Sequence, residues 1–423
     1  MSEKQTQPRM PRVSVVIPTY NCAQYIVQTL ESVFAQTVAA ALYEVLVVDD
    51  GSTDNTRALI EPYIQAGRIT YVYQPNQGES VARNQAIRMA RGEFVAFLDS
   101  DDWWVSDKLA KQIAALDAYP NAVLAYGYVF VVDNAGQRIA FRGMQQHGAG
   151  TPGESQVFER LVVSNFITNP NSVIVRRAAL LRTKLFDEEI EWGEDWQLWL
   201  QMALQGPFLF MPEELACYRM RRPGRRLEIE SSAAFVAQNE LILERTFALV
   251  EQLEPARRET LRRTKVPAYR ELWLRSALYT AEAGDSKAAA QYLQRVWQID
   301  PNLDVAGFAR TVAHIGLRLA DENAGHGAQG EGRGDRRAEG RDIEVGERFV
   351  RTVFASVPPQ AKAWKAQESK ALAELHMAAA FGAAARRHHQ DTRRHVLAAI
   401  RSDPASLANR GLLVIGAKAV LGR

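Results

Sequence analysis

The sequence has 423 residues and a formal net charge of +2, and 47% of its residues are apolar. This length predicts two or three domains with sizeable cores, and the charge balance gives no indication of a protein that binds nucleic acid or coats membranes. Two cysteines exclude a disulfide framework, and no apolar run approaches the roughly 20 residues of a membrane-spanning helix. We therefore expect a cytoplasmic protein, either soluble or peripheral at the inner face of the membrane.

The first hundred residues alternate short apolar runs with segments of helical periodicity. Residues 1–11 are predicted to be a disordered N-terminal segment. Strands are predicted at residues 13–17, 44–48, 69–73 and 93–98, and helices at residues 23–36, 53–61 and 78–90, the second helix ending near Pro62. This alternation predicts a parallel, doubly wound α/β sheet, in which ligands bind at the carboxyl ends of the strands.

Beyond residue 120 the pattern changes. An antiparallel hairpin is predicted from 122–132 and the following Asn-Ala-Gly turn, and a tryptophan-rich helix over 193–204. We expect this first domain to cover residues 12–226.

The remainder is predicted to be helical, over residues 231–320 and 346–423. Residues 271–301 align weakly with 374–404, each as two helices followed by Asp-Pro, which is the layout of a tetratricopeptide-like hairpin. Residues 321–345 are rich in Gly, Arg, Glu and Asp and are predicted to be a disordered linker.

An acidic loop, Asp99-Ser100-Asp101-Asp102, directly follows the apolar strand at 93–98. Clustered carboxylates repel one another unless a cation or strong donors offset their charge, and hard divalent cations such as Mg²⁺ or Mn²⁺ prefer oxygen ligands. We interpret Asp99 and Asp101 as a metal–diphosphate site. The alternative is a solvated loop in which Asp102 or Ser106 caps the next helix.

Two further strand ends carry polar residues. Asp50 is placed to accept a hydrogen bond from a base or ribose; the alternative is a glycine turn followed by a helix cap at Thr53 or Asp54, and we prefer Asp50 as the ligand with Thr53 as the cap. Thr19 and Tyr20, after Pro18, can contact a nucleobase, although a plain turn would also explain them.

Charged residues elsewhere allow two readings each. Arg83, one turn into a helix that opens at Gly78, could reach a diphosphate or pair with nearby aspartates. Glu194 and Asp195, flanked by tryptophans, could include a general base or could only complement the helix dipole.

A basic run could clamp a diphosphate, an acidic acceptor or a lipid surface, or could be a solvated face. It comprises Arg219, Arg221, Arg222, Arg225 and Arg226. No Gly-x-Gly-x-x-Gly follows the first strand and no Walker A sequence occurs, which argues against a dinucleotide dehydrogenase and a P-loop enzyme.

Taken in order, five segments resemble the family 2 glycosyltransferases of GT-A fold over roughly residues 13–219. They are SVVIPTYN, EVLVVDDGSTDNT, NQGESVARNQAI, GEFVAFLDSDDWW and FDEEIEWGEDWQLWLQMA. The resemblance implies a GT-A doubly wound mixed sheet, followed here by an all-α region. It also implies inverting, metal-dependent transfer of a sugar from a nucleotide-diphosphate sugar, usually a UDP-sugar.

The resemblance implies a role for each matching residue. Thr19 and Tyr20 would line the nucleobase pocket, and Asp50 would bond the base. Arg83 would lie near the base or diphosphate.

Asp99 and Asp101 would contact the ribose and a divalent Mg or Mn ion, with Asp101 the direct ligand. Asp195 would deprotonate the acceptor hydroxyl, with Glu194, Arg219 and Arg221 near the diphosphate or acceptor. Many relatives carry a histidine where this chain has Arg221, which leaves a third protein ligand to the metal open.

These observations predict an enzyme of bacterial surface-polysaccharide or glycoconjugate synthesis with a carbohydrate or lipid-linked acceptor. The alternative is a nucleotide-binding GT-A scaffold whose helical repeats bind a protein partner. The sugar, the acceptor and the linkage are not encoded in any motif we can interpret.

Overall fold

The computed structural model describes residues 10–139, 153–167, 169–221, 225–326, 336–385 and 388–421. These residues form two compact units. The sheet unit contains the chain up to Arg225 together with Ala237–Ala268, and the helical unit contains Arg226–Val236 and the chain from Tyr269 onward.

The sheet unit is built on nine strands among the described residues. They are β1 (Val13–Thr19), β2 (Tyr43–Asp49), β3 (Thr70–Tyr73), β4 (Phe94–Phe97), β5 (Trp103–Trp104), β6 (Leu124–Val132), β7 (Gly153–Ser155), β8 (Ile174–Arg176) and β9 (Phe208–Arg219). Their order is β3-β2-β1-β4-β8-β6-β9-β5, with β7 paired to β9. Strands β1 to β4 are mutually parallel and β8 runs antiparallel to β4, so the sheet is mixed, as the resemblance implied.

Helices cover this sheet and bury its apolar strands. They are α1 (Ile26–Phe34), α2 (Thr56–Gln65), α3 (Glu79–Met89), α4 (Lys108–Ala118), α5 (Phe158–Leu161), α6 (Arg177–Leu180) and α7 (Glu194–Ala203). Every residue of β1 is buried, and Ile26, Leu30 and Val33 of α1 pack into the same core. The helical spacing of these three side chains is the pattern that predicted α1.

Helix α2 differs from the prediction, because it continues past Pro62 to Gln65. A proline inside a helix removes one backbone hydrogen bond. Here Ile60 is buried, and Tyr63 and Ile64 pack against the core, so tertiary contacts hold the last turn in place.

The predicted hairpin after residue 120 is only partly present. Strand β6 pairs mainly with β9, in parallel, and with β8. The turn after Val132 returns far enough for a single antiparallel bridge to Arg138, and residues 140–152 lie outside the described part.

Three helices follow the sheet: α8 (Arg225–Glu230), α9 (Ala233–Val250) and α10 (Pro255–Arg262). Although the first domain was predicted to end at 226, Ala237–Ala268 groups with the sheet unit. Arg245 pairs with Asp187 and Glu189, and Arg257 donates to the Leu204 carbonyl at 2.9 Å. An amphipathic pattern shows that a helix has an apolar face, not which unit that face covers.

The helical unit contains eight further helices among the described residues. They are α11 (Lys265–Glu282), α12 (Ser286–Ile299), α13 (Val305–His326), α14 (Arg336–Ala355), α15 (Lys362–Lys365), α16 (Glu368–Ala385), α17 (His389–Ser402) and α18 (Arg410–Leu421). Each predicted repeat is a helix pair, α11–α12 and α16–α17. Membership of the tetratricopeptide family stays a prediction.

Helices α13 and α14 enter both ends of the segment predicted as a disordered linker at 321–345, and only its middle, 327–335, lies outside the described residues. Within the described part of the chain, every helix is too short or too polar to cross a bilayer.

Candidate active site

The three polar segments predicted from the sequence meet at the carboxyl edge of the parallel strands. The Asn21 side chain accepts hydrogen bonds from the amides of Thr53 (2.8 Å) and Asp54 (3.2 Å). Thr29 donates to the Ser100 carbonyl at 2.8 Å, which joins the start of α1 to the acidic loop. Loops that are remote in sequence are thereby held as one surface.

The start of α2 differs in detail from the prediction. Asp54, not Thr53, accepts the hydrogen bond from the Thr56 amide, at 2.9 Å. Asn21 instead engages the Thr53 amide, so Thr53 helps to join two loops and does not cap the helix.

Arg83 lies at the centre of this surface. Its side chain is 2% exposed and donates to Asp99 at 2.7 Å, Glu194 at 2.9 Å and Glu79 at 2.6 Å. Phe186 packs against the guanidinium with its ring centroid 5.2 Å away. Of the two roles considered for Arg83, the structure shows the ion pair, which brings the acidic loop and the start of α7 together.

Asp99 and Asp101 present their carboxylates on this surface, and each is paired with one arginine. Asp99 bonds to Arg83, and Asp101 Oδ2 lies 2.7 Å from Arg221 Nε. Burial raises the pKa of Asp101 above its ordinary value, and Arg221 opposes that rise. The Arg221 side chain is 53% exposed, whereas that of Asp101 is 15% exposed.

Asp102 and Arg219 are buried and fix the backbone of the acidic loop by hydrogen bonds. The Asp102 carboxylate accepts the Arg219 amide at 2.6 Å and the Asn171 side-chain amide. The Arg219 guanidinium donates to the Asp101 carbonyl (3.0 Å) and to Gln28 (2.8 Å). Arg219, predicted to lie near a diphosphate, is therefore committed to protein groups and is 4% exposed.

Of the remaining basic run, Arg221 reaches the acidic loop. The side chains of Arg222, Arg225 and Arg226 lie outside the described residues.

Glu194 and Asp195 begin α7, after Gly193, whose positive φ of 88° turns the chain into the helix. Glu194 bonds to Arg83, and Asp195 is half-buried beside it. Burial and the neighbouring Glu194 charge raise the pKa of Asp195 to about 7, against a hydrogen bond from the Trp196 amide. A carboxylate with this pKa can accept a proton near neutral pH.

The acids after β2 are engaged with the protein. Asp50 accepts hydrogen bonds from the Gln74 side chain (2.7 Å) and the amides of Gln77 (2.9 Å) and Gly78 (2.8 Å), which shapes the loop into α3. Asp49 accepts the Tyr71 hydroxyl at 2.8 Å. Nucleobase recognition by Asp50 stays a prediction.

Within the described part of the chain, two side-chain atoms beside Asp50 are buried without a hydrogen-bond partner, the Thr19 hydroxyl and the Gln74 amide oxygen Oε1. The Asp50 amide donates to the Thr19 carbonyl at 2.8 Å, so both atoms lie near the same acid. Unpaired buried polar atoms are costly, and a ligand could satisfy them. Tyr20, predicted to line the nucleobase pocket, is 51% exposed.

The acidic loop provides some of the oxygen ligands that a divalent cation needs. Its oxygen donors match Mg²⁺ and Mn²⁺, which are often bound by one or two carboxylates and completed by phosphate oxygens. Within the described residues, no three His, Cys, Asp or Glu side chains form a metal-binding group. A divalent cation held by Asp99 and Asp101 would therefore need further oxygens, for example from a bound diphosphate, and this site stays a prediction.

Asn171 was not identified from the sequence. It is fully buried, and its side chain bonds both ends of the acidic loop. An asparagine 69 residues beyond Asp102 in the sequence carries no local pattern that could have identified it.

The comparisons with known proteins find similarity to glycosyltransferases in sequence and in fold. Residues 14–188 match the model of glycosyl transferase family 2. An Escherichia coli chondroitin synthase is 32% identical over 244 residues, which is 56% of this chain and 34% of that protein. The putative teichuronic acid biosynthesis glycosyltransferase TuaG of Bacillus subtilis is 48% identical over 105 residues, covering 24% of this chain and 41% of the relative.

Among solved structures, residues 1–349 of S. aureus TarS in complex with UDP-GlcNAc share the fold, with a TM-score of 0.53 and 20% identity over 80% of this chain and 90% of that chain.

A further relative in sequence, an uncharacterized glycosyltransferase of Rickettsia bellii, is 31% identical over 213 residues, half of this chain but 29% of the relative. This chain thus spans about a third of the length of several curated relatives. Over residues 14–188 the sequence is therefore similar to glycosyl transferase family 2, and the sheet unit has the GT-A fold.

Proposed function

We propose that this chain is an inverting glycosyltransferase that moves a sugar from a nucleotide-diphosphate sugar to an acceptor hydroxyl. The observation that carries the proposal is Asp195, a half-buried carboxylate with a pKa of about 7. It adjoins Glu194, which is joined through Arg83 to Asp99. A proton acceptor and an acidic loop suited to a diphosphate are therefore held on one surface.

The donor is proposed to be a UDP-sugar. The TarS structure, which shares this fold, contains UDP-GlcNAc. The unpaired polar atoms of Thr19 and Gln74 beside Asp50 give a base or ribose groups to bond.

Asp99 and Asp101 would hold a divalent metal ion, Mg²⁺ or Mn²⁺, which supplies Lewis-acid stabilisation of the diphosphate when bound. Arg221 would exchange Asp101 for diphosphate oxygens, since an exposed arginine can form such a bidentate contact at little cost. Arg83 would keep Asp99 charged and oriented.

Asp195 would take the proton from the acceptor hydroxyl as that oxygen attacks the anomeric carbon. The bond from that carbon to the diphosphate breaks on the opposite face, so the configuration inverts in one displacement. The electron pair of the broken bond leaves with the nucleoside diphosphate.

The acceptor is proposed to be a carbohydrate or lipid-linked hydroxyl of a surface polysaccharide or glycoconjugate. The names of the chondroitin synthase and of TuaG support this class. The helical unit could in addition bind a protein partner.

The test replaces Asp195 with Asn and measures transfer from a panel of nucleotide sugars. We expect transfer to fall about 10²- to 10⁴-fold, the usual contribution of a general base, with nucleotide affinity unchanged. Glu191→Gln, a change at an exposed acid four residues earlier, should leave transfer intact.

The pH dependence gives a second readout. Because Asp195 must be deprotonated to act, the wild-type rate should rise with pH up to about 7 and then level off. Wild-type-like turnover by Asp195→Asn would exclude this role. Nucleotide binding without transfer from any donor would favour the scaffold alternative.

A further inference from the structure

We infer that Asn171 is a positioning residue that fixes both ends of the acidic loop and thereby aims the Asp99 and Asp101 carboxylates. This inference rests on the proposed function. It concerns a residue whose hydrogen bonds, within the described part of the chain, join it to Asp99, Asp102, Trp104 and Asn169.

Asn171 lies in a short 3-10 helix, Pro170–Ser172, that precedes β8. Its side-chain oxygen accepts the Asp99 amide at 2.7 Å, and its side-chain nitrogen donates to the Asp102 carboxylate. One planar amide thus bonds the first and the last aspartate of the loop.

The orientation of this amide is fixed on several sides. The Asn171 backbone amide donates to the Asn169 side chain at 2.8 Å, and its carbonyl accepts the Trp104 indole at 2.9 Å. Because the Asp99 amide can only donate and the Asp102 carboxylate accepts, the oxygen of Asn171 must face Asp99 and its nitrogen Asp102.

The remaining backbone of the loop is also held. The carbonyls of Ser100 and Asp102 accept the Thr29 hydroxyl, at 2.8 and 2.7 Å, and the Asp101 carbonyl accepts Arg219. These bonds use the backbone of the loop. The carboxylates of Asp99 and Asp101 then pair with Arg83 and Arg221, and both could contact a bound metal ion. The carboxylates can be aimed accurately only while these bonds persist.

Asparagine is the residue type that this place needs. Alanine would leave the Asp99 amide and one Asp102 oxygen without partners in a fully buried site, which is costly. Aspartate would keep the acceptor for Asp99 but would replace the N–H donor that faces Asp102 with a second acid, so these two side chains could bond only after taking up a proton.

The exchange of the two side chains offers a sharp test. In the double variant Asp102→Asn with Asn171→Asp, residue 102 becomes the donor and residue 171 the acceptor. All three hydrogen bonds can form again with the same total charge: the one that the Asp99 amide donates, the one that the Arg219 amide donates, and the one between the two side chains.

We would measure UDP affinity in the presence of Mn²⁺ for the full chain and its variants. Asn171→Ala and Asn171→Asp should each weaken affinity at least tenfold, and the double variant should recover most of that loss. Asn165→Ala is the matched control, because among the described residues the Asn165 side chain accepts a hydrogen bond from the nearby Ile167 amide, and the affinity of this variant should equal wild type.

Hydrogen exchange measured by mass spectrometry separates this inference from the proposed function. Exchange over the acidic loop should accelerate at least tenfold in Asn171→Asp and return toward wild type in the double variant, whether or not UDP binds. Wild-type exchange in Asn171→Asp, or no recovery of exchange in a folded double variant, would overturn the inference. Failure of the wild type to bind UDP, with the exchange pattern as expected, would count against the proposed donor and leave the positioning role supported.

Discussion

The sheet unit and the helical unit both bury polar side chains, but they satisfy them in different ways. In the helical unit, Ser276 and Thr280 donate to the carbonyl four residues earlier in their own helix, and the long-range bond of Ser356, to the Ser286 carbonyl at 3.3 Å, joins two uncharged groups. In the sheet unit, Arg83 reaches Glu194 across 111 residues, and Asn171 reaches Asp102 across 69.

This difference distinguishes polar groups that stabilise only their own helix from polar groups that fix distant loops relative to one another. A hydroxyl that bonds its own helix needs no partner elsewhere, so it fixes nothing beyond that helix. A buried side chain that bonds a distant loop fixes the relative position of two parts of the chain, as an active site requires. The long-range bonds named above concentrate around the acidic loop.

Of the substitutions proposed here, replacement of Arg83 should lower the free energy of unfolding the most. Arg83→Met leaves Asp99 and Glu194 side by side without their shared cation, and breaking a buried ion pair from one side typically costs about 3–5 kcal/mol. The free energy of unfolding, from urea titration, should fall by this amount, and nucleotide binding should be lost.

Arg88→Met is the matched control on the same helix. Arg88 is 61% exposed and lies 3.8 Å from Glu188, and surface pairs of this kind contribute about 0–1 kcal/mol. If Arg83→Met were no more destabilising than Arg88→Met, Arg83 would not be the centre of the site.

The helical unit offers a smaller, pH-dependent test. His376 and His395 stack with ring centroids 5.7 Å apart, and burial lowers the pKa of each to about 4. An unfolded histidine titrates near 6.5, so the unfolded chain binds more protons between these values. Stability is fully present above about pH 6.5 and is lost as pH falls toward 4, by about 2 kcal/mol per histidine at pH 5.

Thermal melting at pH 7.5 and pH 5 measures this loss. His395→Phe should remove about half of it, whereas His314→Gln, at an exposed position, should leave it unchanged. A pH effect equal in wild type and His395→Phe would show that the pair does not titrate as its burial implies.

Much of the sheet unit could be predicted from the sequence, because its signals are local. Residues 13–17 form a run of apolar and β-branched side chains that makes a buried strand, and the polar segments after the strands fall at the predicted edge. Asp99, Asp101 and Asp195 were identified because each adjoins a strand end or helix start.

The sequence could not predict which distant residues form hydrogen bonds or pack together. Arg219 carries the charge expected of a phosphate ligand, and only its surroundings show that Asp101, Gln28 and the turn at Asp133 use its donors. Helix α2 passes Pro62 because side chains far away in sequence pack on it. The assignment of 237–268 to the sheet unit depends equally on contacts that no periodicity encodes.

The central claim is that the acidic loop binds a nucleotide diphosphate with a divalent metal, and thermal melting with UDP and Mn²⁺ tests it most directly. A ligand at 100 times its Kd stabilises the folded state by about 2.7 kcal/mol, so the wild-type Tm should rise by several degrees. Asp101→Ala should lose the part of that rise that depends on Mn²⁺. An unchanged wild-type Tm with UDP, GDP and dTDP, each in the presence of Mn²⁺, would contradict the claim.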